Sequence, residues 1–290
     1  VLYQVVKIKC SNCVNKAIFL NPNLCKAHFI SYFEQKVKQT IDKYKLLTKS
    51  DKIVVACSGG KDSTTVLYLL KKFHGKVEAL AIDEGINGYR DITLKDLKKI
   101  CKDNNISLKV FSFKTLTGKT LDEILKKKSH PCTVCGTLRR YLLNAHAEKF
   151  DKIATGHNMD DEAQAIMMNL LKSNTNLLGN SSPISKKSDS FTPRIKPLYF
   201  CSEKEVATYA LLKGFKVQFT ECPYIVDSFR STVRDSLNNY ELKNPGTKLN
   251  ILKKHLDLLS KIDLDSIRKN EYTFNKDTQA IKLIKSFKKV

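Results

Sequence analysis

The sequence predicts an α/β protein built on a doubly wound parallel sheet, and three observations lead there. The short apolar run Lys52-Ile-Val-Val-Ala-Cys57 ends in a glycine turn and passes into a helical stretch, Thr65-Val-Leu-Tyr-Leu-Leu70. Further strand-like runs at Val77-Glu-Ala-Leu-Ala-Ile82, Leu108-Lys-Val-Phe111 and Lys152-Ile-Ala-Thr155 alternate with helical segments such as 94–101 and 139–150. A chain of 290 residues with 42% hydrophobic side chains has the material for a large core, which excludes disorder as its overall state.

The first element precedes the sheet. Cys10-Ser-Asn-Cys13 and Cys25-Lys-Ala-His28 are two ligand pairs separated by eleven residues. Three thiolates and an imidazole are what zinc prefers, and a two-residue gap makes a tight chelate turn, so Cys10, Cys13, Cys25 and His28 form a predicted structural Zn²⁺ site with no spare ligand. From Phe29 to Leu47, apolar residues at 29, 32, 33, 37, 41 and 44 recur at helical spacing and predict an amphipathic connector. The expected organisation is a zinc module over 1–30, a connecting helix over 31–50, a catalytic domain over 51–240 and a basic helical region over 241–290.

The loop Ser58-Gly59-Gly60-Lys61-Asp62-Ser63 falls where a strand meets a helix N-terminus, with its unpaired N–H groups, and two glycines let a phosphate come close to the main chain. It differs from the Walker pattern, because the glycines precede Lys61 directly and Asp62 follows it. Ser58 and Ser63 suit phosphate, Lys61 offsets its charge, and Asp62 suits Mg²⁺. Residues 173–193, rich in Ser, Asn and Lys, read as a lid or a linker. Leucines 249, 252, 256 and 259 with Ile262 then return to helical spacing, before a basic tail.

Charge narrows the partner. Fifty-one Lys and Arg against 29 Asp and Glu leave +22, which favours a polyanion, with nucleic acid foremost. No apolar run approaches a membrane span, the first residues do not resemble a secretory signal, and an odd nine cysteines argues against a disulfide framework, so the chain reads as cytoplasmic.

The glycine loop SGGKDS resembles the PP-loop of the N-type ATP pyrophosphatases, which split ATP into AMP and pyrophosphate. The segments Asp83-Glu-Gly-Ile-Asn-Gly-Tyr-Arg-Asp91, Pro131-Cys-Thr-Val-Cys-Gly136, Ala154-Thr-Gly-His-Asn-Met-Asp-Asp-Glu162 and Glu221-Cys-Pro-Tyr224 further resemble the tRNA 2-thiolation enzymes of the TtuA and NcsA group, over roughly residues 8 to 255. The resemblance implies ATP across the ends of the first and fourth strands, touching Ala56, Ser58, Asp62, Ser63, Ala81, Ile82, Gly156 and Asp161. Gly156 would permit close approach to the nucleotide, and Asp161 would serve as a second carboxylate for Mg²⁺ or for orienting reactants. One of Asp160 and Asp161 is expected only to complement the helix dipole.

Cys132 and Cys135 form a chelate pair, and Cys222 supplies a third thiol nearly ninety residues later. Three thiolates hold three irons of a cubane and leave the fourth free for a small ligand; the resemblance assigns a 4Fe-4S cluster to these positions. Two other readings stand beside it: a persulfide carrier with a resolving thiol, and zinc with a fourth ligand such as His130. Arg139 lies one helical turn after Cys135, where the family usually carries Lys. An arginine keeps the charge but does not transfer protons, so Arg139 is expected to stabilise phosphate or the adenylated oxygen. Arg140, His74 and His146 read as surface or packing residues, and Cys57, Cys101 and Cys201 as small core residues. The relatives' second, four-cysteine zinc module is not expected here, since no cysteine follows Cys222.

The resemblance thus implies an ATP-dependent tRNA 2-thiouridine synthase. Its sulfur would come from sulfide or a ubiquitin-like thiocarboxylate, its partner would be tRNA, and it would act as a homodimer. Alternatives are a 2-thiocytidine synthase or another PP-loop tRNA modifier, and a non-catalytic zinc-containing RNA-binding protein.

Overall fold

The computed structural model describes residues 8–126, 131–185, 191–219, 222–224, 229–261 and 278–288. Five parallel strands form one sheet: β1 (Ile53–Ala56), β2 (Val77–Asp83), β3 (Ser107–Ser112), β4 (Lys152–Ala154) and β5 (Arg194–Ile195), in the order β3-β2-β1-β4-β5. Strand β1 lies between β2 and β4, with Ile53 opposite both Val77 and Lys152. The winding direction reverses there, and in such sheets ligands bind in the crevice beyond the strand C-termini at the reversal.

Alternation along the strands builds two cores. Ile53, Val55, Ala79 and Ala81 face one side, against Leu67 and Leu70 of α2 (Lys61–Phe73), Leu97 of α3 (Arg90–Asp103) and Tyr209 of the helix at Glu203–Leu212. Val54, Leu80 and Ile82 face the other, against Phe113 of the short α4 (Phe113–Thr117), Leu121 of α5 (Leu121–Leu125) and Leu138 and Leu142 of α6 (Pro131–Ala147). A third cluster joins Ala163 and Ile166 of α7 (Met159–Leu171) to α10 (Phe229–Lys243) and α11 (Thr247–Lys261); the one-turn α8 (Thr175–Leu178) and α9 (Glu203–Leu212) lie between them in the chain, α9 packing in the first core. The last described helix, α12 (Thr278–Lys288), sets Ile284 and Phe287 into the α6 side of the sheet.

The N-terminal segment is continuous with the first core. Cys10, Phe19, Leu24 and Cys25 are buried with Phe29 and Phe33 of α1 (Lys26–Lys43), and the Phe33 ring stacks 4.5 Å from Tyr209 of α9. The expected connector is therefore a packed helix. His146 stacks on Phe111, and Cys57, Cys101 and Cys201 are buried as expected of core residues.

Three features differ from the sequence expectation. Helix α6 begins at Pro131, well before 139, because Pro131 occupies the first helical position, where its missing N–H costs nothing, and residues 134, 135, 138 and 142 continue the apolar face. Strand β5 has only two residues, too few for a period-two signal. The stretch 173–193 contains α8, and an isolated bridge pairs Ile184 with Ile195. Among the described residues no helix is long and apolar enough to cross a membrane.

Candidate active site

Strand β1 delivers the glycine loop to the sheet reversal. Gly59 adopts φ +83°, and a Cβ there would lie 2.4 Å from the Thr93 carbonyl oxygen, so only glycine makes the turn. The loop is self-braced: the Ser58 amide donates to Ser63 Oγ at 3.1 Å, the Gly60 amide donates to Ser58 Oγ at 3.3 Å, and the two hydroxyls lie 3.2 Å apart. Gly60 caps α2 without a side chain, which leaves the helix N-terminal amides for a ligand. Lys61 Nζ rests 3.1 Å from Asp62 and 3.1 Å from Glu203.

Strand β4 brings the second half. A Cβ on Gly156 would sit 2.7 Å from the Ser63 amide nitrogen and 3.1 Å from Asp62 Cβ, in front of an amide that a phosphate would use. Asn158 caps α7: its Oδ1 accepts from the Asp161 amide and its Nδ2 donates to Asp62 Oδ1, both at 3.1 Å. Asp161 is also held by Arg230, 2.7 Å away. Burial pushes the pKa of Asp62 up, against the pull of Lys61 and with a push from Asp161. Burial likewise raises Asp161, against Arg230 and the Asn158 amide. Two acidic groups under this strain suit a divalent cation. Asp160 does more than the expected complement to the helix dipole: it accepts from the Glu203 amide at 2.8 Å and pairs with buried Lys248 of α11, tying helices together, while Asp161 accepts from the Asn158 amide at 3.2 Å and from Arg230.

Ala56, Ala81 and Ile82 lie at the strand ends on the same edge; Ala81 and Ile82 have buried side chains, so any contact with a nucleotide is through their backbone. His157 follows Gly156, with Nδ1 2.9 Å from Thr155 Oγ1. Loss of solvation, and then the positive charges of Lys196, Arg230, Arg194 and Arg139, lower its pKa well below the usual histidine range.

Cys135 and Cys222 pack in the second core, on the α6 side of the sheet. Cys132 and Cys135 lie on the first two turns of α6, Cys132 exposed and Cys135 buried; Cys222 is half-buried on the 222–224 segment. That segment is fixed by Tyr224, whose hydroxyl donates to Asp122 Oδ1 at 2.7 Å and whose carbonyl lies 3.8 Å from Cys132 Sγ. Arg139 Nη2 lies 3.2 Å from Cys135 Sγ and 2.9 Å from Glu84 Oε1. Burial opposes the Arg139 charge, but Glu84 and Cys135 outweigh it and its pKa stands above normal. Among the described residues only Cys10, Cys13, Cys25 and His28 bring ligand atoms within 4.8 Å of one another. Cys132, Cys135 and Cys222 are not such a compact set. His130, the alternative fourth ligand, lies outside the described residues.

The N-terminal quartet fits zinc. Its Sγ–Nδ1 separations are 3.4 Å from Cys10 and 3.3 Å from Cys25 to His28, and Cys13 and Cys25 are 3.7 Å apart. Tetrahedral ligands at about 2.3 Å from zinc have edges of about 3.8 Å. Partial burial raises the Cys10 thiol, yet the Cys25 and Asn12 amides and His28 bring it down to about 6, ready to act as a thiolate.

The glycine loop, Asp62, Asp161 and the expected strand-end residues thus gather on one sheet edge, with the three cysteines and Arg139 beside them. Sequence reasoning missed Glu84, Arg90, His157, Asn158 and Arg230. The first four lie inside segments that carried the resemblance, and Arg230 had no signal beyond its charge.

Comparisons with known proteins agree with this geometry. A model of the PP-loop domain family matches residues 30–241. The tRNA-5-methyluridine(54) 2-sulfurtransferase of Pyrococcus horikoshii is 40% identical over 255 residues, covering 86% of this chain and 82% of the relative. Cytoplasmic tRNA 2-thiolation protein 1 of Drosophila melanogaster is 36% identical over 257 residues, 83% of this chain and 75% of the relative. Among solved structures, the U34-tRNA thiolase NcsA from Methanococcus maripaludis with its [4Fe-4S] cluster superposes with a TM-score of 0.78 at 36% identity, covering 89% of each chain. The chain belongs to the PP-loop domain family and, within it, to the tRNA 2-thiolation sulfurtransferases.

Proposed function

We propose that this protein is an ATP-dependent tRNA 2-thiouridine synthase that adenylates the C2 oxygen of a uridine and replaces it with sulfur. The observation that supports the reading is the chain of contacts Ser58–Arg90–Glu84–Arg139–Cys135, which joins the glycine loop to a cysteine of α6. A carbonyl oxygen leaves poorly until it is esterified, so a nucleotide site and a sulfur site are both needed and must adjoin.

In this reading the amides of residues 60–63, with the hydroxyls of Ser58 and Ser63, hold the ATP phosphates, and Lys61 offsets their charge. Asp62 and Asp161 would hold Mg²⁺, which would offset phosphate charge as pyrophosphate leaves. The uridine O2 attacks the α-phosphorus, the α–β anhydride breaks and pyrophosphate leaves. Sulfur then attacks C2, the C2–O2 bond breaks and AMP departs with the oxygen. Arg139, held beside Cys135, stabilises negative charge on the departing phosphate without exchanging a proton. Cys132, Cys135 and Cys222 would hold a 4Fe-4S cluster, whose remaining iron supplies a Lewis-acidic position for a small sulfur ligand. Sulfide or a ubiquitin-like thiocarboxylate is the donor, and Zn²⁺ at Cys10, Cys13, Cys25 and His28 is structural. A homodimer acting in the cytoplasm completes the reading.

The reading is tested by pyrophosphate release from ATP with and without tRNA. An enzyme of this class releases pyrophosphate when tRNA is added, whereas a zinc-containing RNA-binding protein releases none. The names of the relatives give two target positions, uridine 34 and 5-methyluridine 54, and mapping the modified nucleoside assigns this chain's own.

A further inference from the structure

Glu84 follows the last residue of β2 and is 5% exposed. Its two oxygens are divided between two arginines: Oε2 lies 2.9 Å from Arg90 Nε and Oε1 lies 2.9 Å from Arg139 Nη2. Arg90, itself 3% exposed, turns its other nitrogens to the carbonyls of Ser58 and Ile82 and, at 3.2 Å, to Thr93 Oγ1. Arg139 turns the same nitrogen that meets Glu84 toward Cys135 Sγ, 3.2 Å away. The carboxylate cannot drift. Its own carbonyl accepts from the Leu121 amide at 2.8 Å, and the next residue, Gly85, has φ +71° with Thr120 where a Cβ would be.

A buried carboxylate needs a charge partner, and Arg90 alone supplies one. The second arginine is not needed to neutralise the carboxylate, and with the Arg139 side chain 45% exposed its pair with Glu84 adds about 1 kcal/mol at most, enough to register in a mutant cycle but not to account for the arrangement. What the contact does accomplish is to fix a long, mobile guanidinium in one place between the sulfur ligands and the cleft. Two cations on one anion also leave net positive charge, and the exposed member is Arg139.

We infer that Glu84 is a positioning residue for the thiolation reaction: it clamps Arg90 and Arg139 together and so holds the nucleotide loop and the cysteine set in register. The inference rests on the proposed function for its catalytic part and on geometry alone for the clamp. Glu84→Gln keeps the shape and removes the charge. With iron content unchanged, it lowers kcat for thiolation at least about tenfold, a loss typical of a misplaced group, while KM for ATP stays within about threefold. On an Arg139→Ala background it adds no further loss beyond about twofold, because the two residues act as one unit.

The clamp has a readout independent of turnover. In cluster-free protein, the melting-temperature shifts of Glu84→Gln and Arg139→Ala are less than additive in the double variant. Wild-type kcat in Glu84→Gln, or losses that multiply in the double variant, overturns the inference. Absence of thiolation in the wild type overturns the proposed function instead, and the melting cycle then decides the clamp. If Glu84→Gln does not fold, Glu84→Asp keeps the charge but is too short to span both arginines, and the same cycle on that variant must show the same kcat loss and non-additivity.

Discussion

Asn158 Nδ2 donates to Asp62 Oδ1 at 3.1 Å across 96 residues of sequence, while Asn158 Oδ1 accepts from the Asp161 amide. One buried side chain therefore sets the rotamer of the loop carboxylate and starts the helix that carries the second. Asn158→Asp keeps the cap but sets a third negative charge beside Asp62. The fold loses about 1–3 kcal/mol or more at neutral pH, because a buried carboxylate now faces Asp62 in place of a donor, and turnover falls about tenfold or more, as measured by thermal melting beside steady-state kinetics. Asn158→Ala loses both, with the lost cap costing about 1 kcal/mol.

Both glycines beside the loop are fixed by neighbouring backbone. Gly59→Ala meets the Thr93 carbonyl in a left-handed conformation and destabilises the fold by about 1–3 kcal/mol. Gly156→Ala has no positive φ to strain, but its methyl carbon would lie 2.7 Å from the Ser63 amide nitrogen and 2.9 Å from the Asp62 carbonyl carbon, so the start of α2 must shift. It destabilises the fold by about 1–3 kcal/mol, read by thermal melting, and ATP affinity, measured by calorimetry, falls about tenfold or more because the displaced amides are those the phosphates would use.

Asp51 fastens the chain entering β1 to the start of β4. It pairs with Lys152 at 2.7 Å and accepts from the Thr48 amide and hydroxyl, at 2.8 and 2.7 Å. Partial burial raises its pKa, but Lys152 and Thr48 outweigh this and hold it below the usual carboxylate range. The folded form therefore binds the proton less readily than the unfolded chain. The stabilisation is present above the unfolded pKa and is lost as pH falls through the lower, folded one. Asp51→Asn lowers the melting temperature at pH 7 by several degrees, for a loss of about 1–3 kcal/mol. The gap from wild type narrows in acid below the ordinary carboxylate pKa; a gap independent of pH contradicts the assignment.

The proposed cluster and zinc sites use different cysteines, so the account predicts that they are lost separately. Protein purified without oxygen carries about four irons and about one zinc per chain. Cys222→Ala loses the iron and keeps the zinc. Cys25→Ser loses the zinc and also melts earlier, because Cys25, Phe19 and Leu24 belong to the same core as the sheet. Loss of both metals in Cys222→Ala contradicts two independent sites.

What the sequence disclosed was what is local. The apolar run of β1, the glycine turn and α2 follow one another within twenty residues, and the two zinc-ligand pairs within nineteen, so spacing alone places them. Alternation along β2 likewise anticipates Ala79 and Ala81 on one face and Leu80 and Ile82 on the other. Tertiary relationships were hidden. Glu84 reads as an ordinary acid after a strand, and only the fold brings Arg139 onto it from 55 residues away. Asn158 looks like a helix cap, which it is, and its second bond to Asp62 has no trace in spacing. The start of helix α6 at Pro131 was hidden too, because Gly136 interrupts the helical pattern and the apolar face before 139 rests on Val134, Cys135 and Leu138.

The most direct test of the central claim is nucleoside mass spectrometry of tRNA incubated without oxygen with this protein, ATP, Mg²⁺ and sulfide, with AMP counted in the same reaction. The account predicts 2-thiouridine formed one for one with AMP, and neither product from Cys222→Ala with its thiolation site broken and its zinc intact. Formation of AMP with no sulfur in the tRNA, or 2-thiouridine made equally by Cys222→Ala, would contradict it.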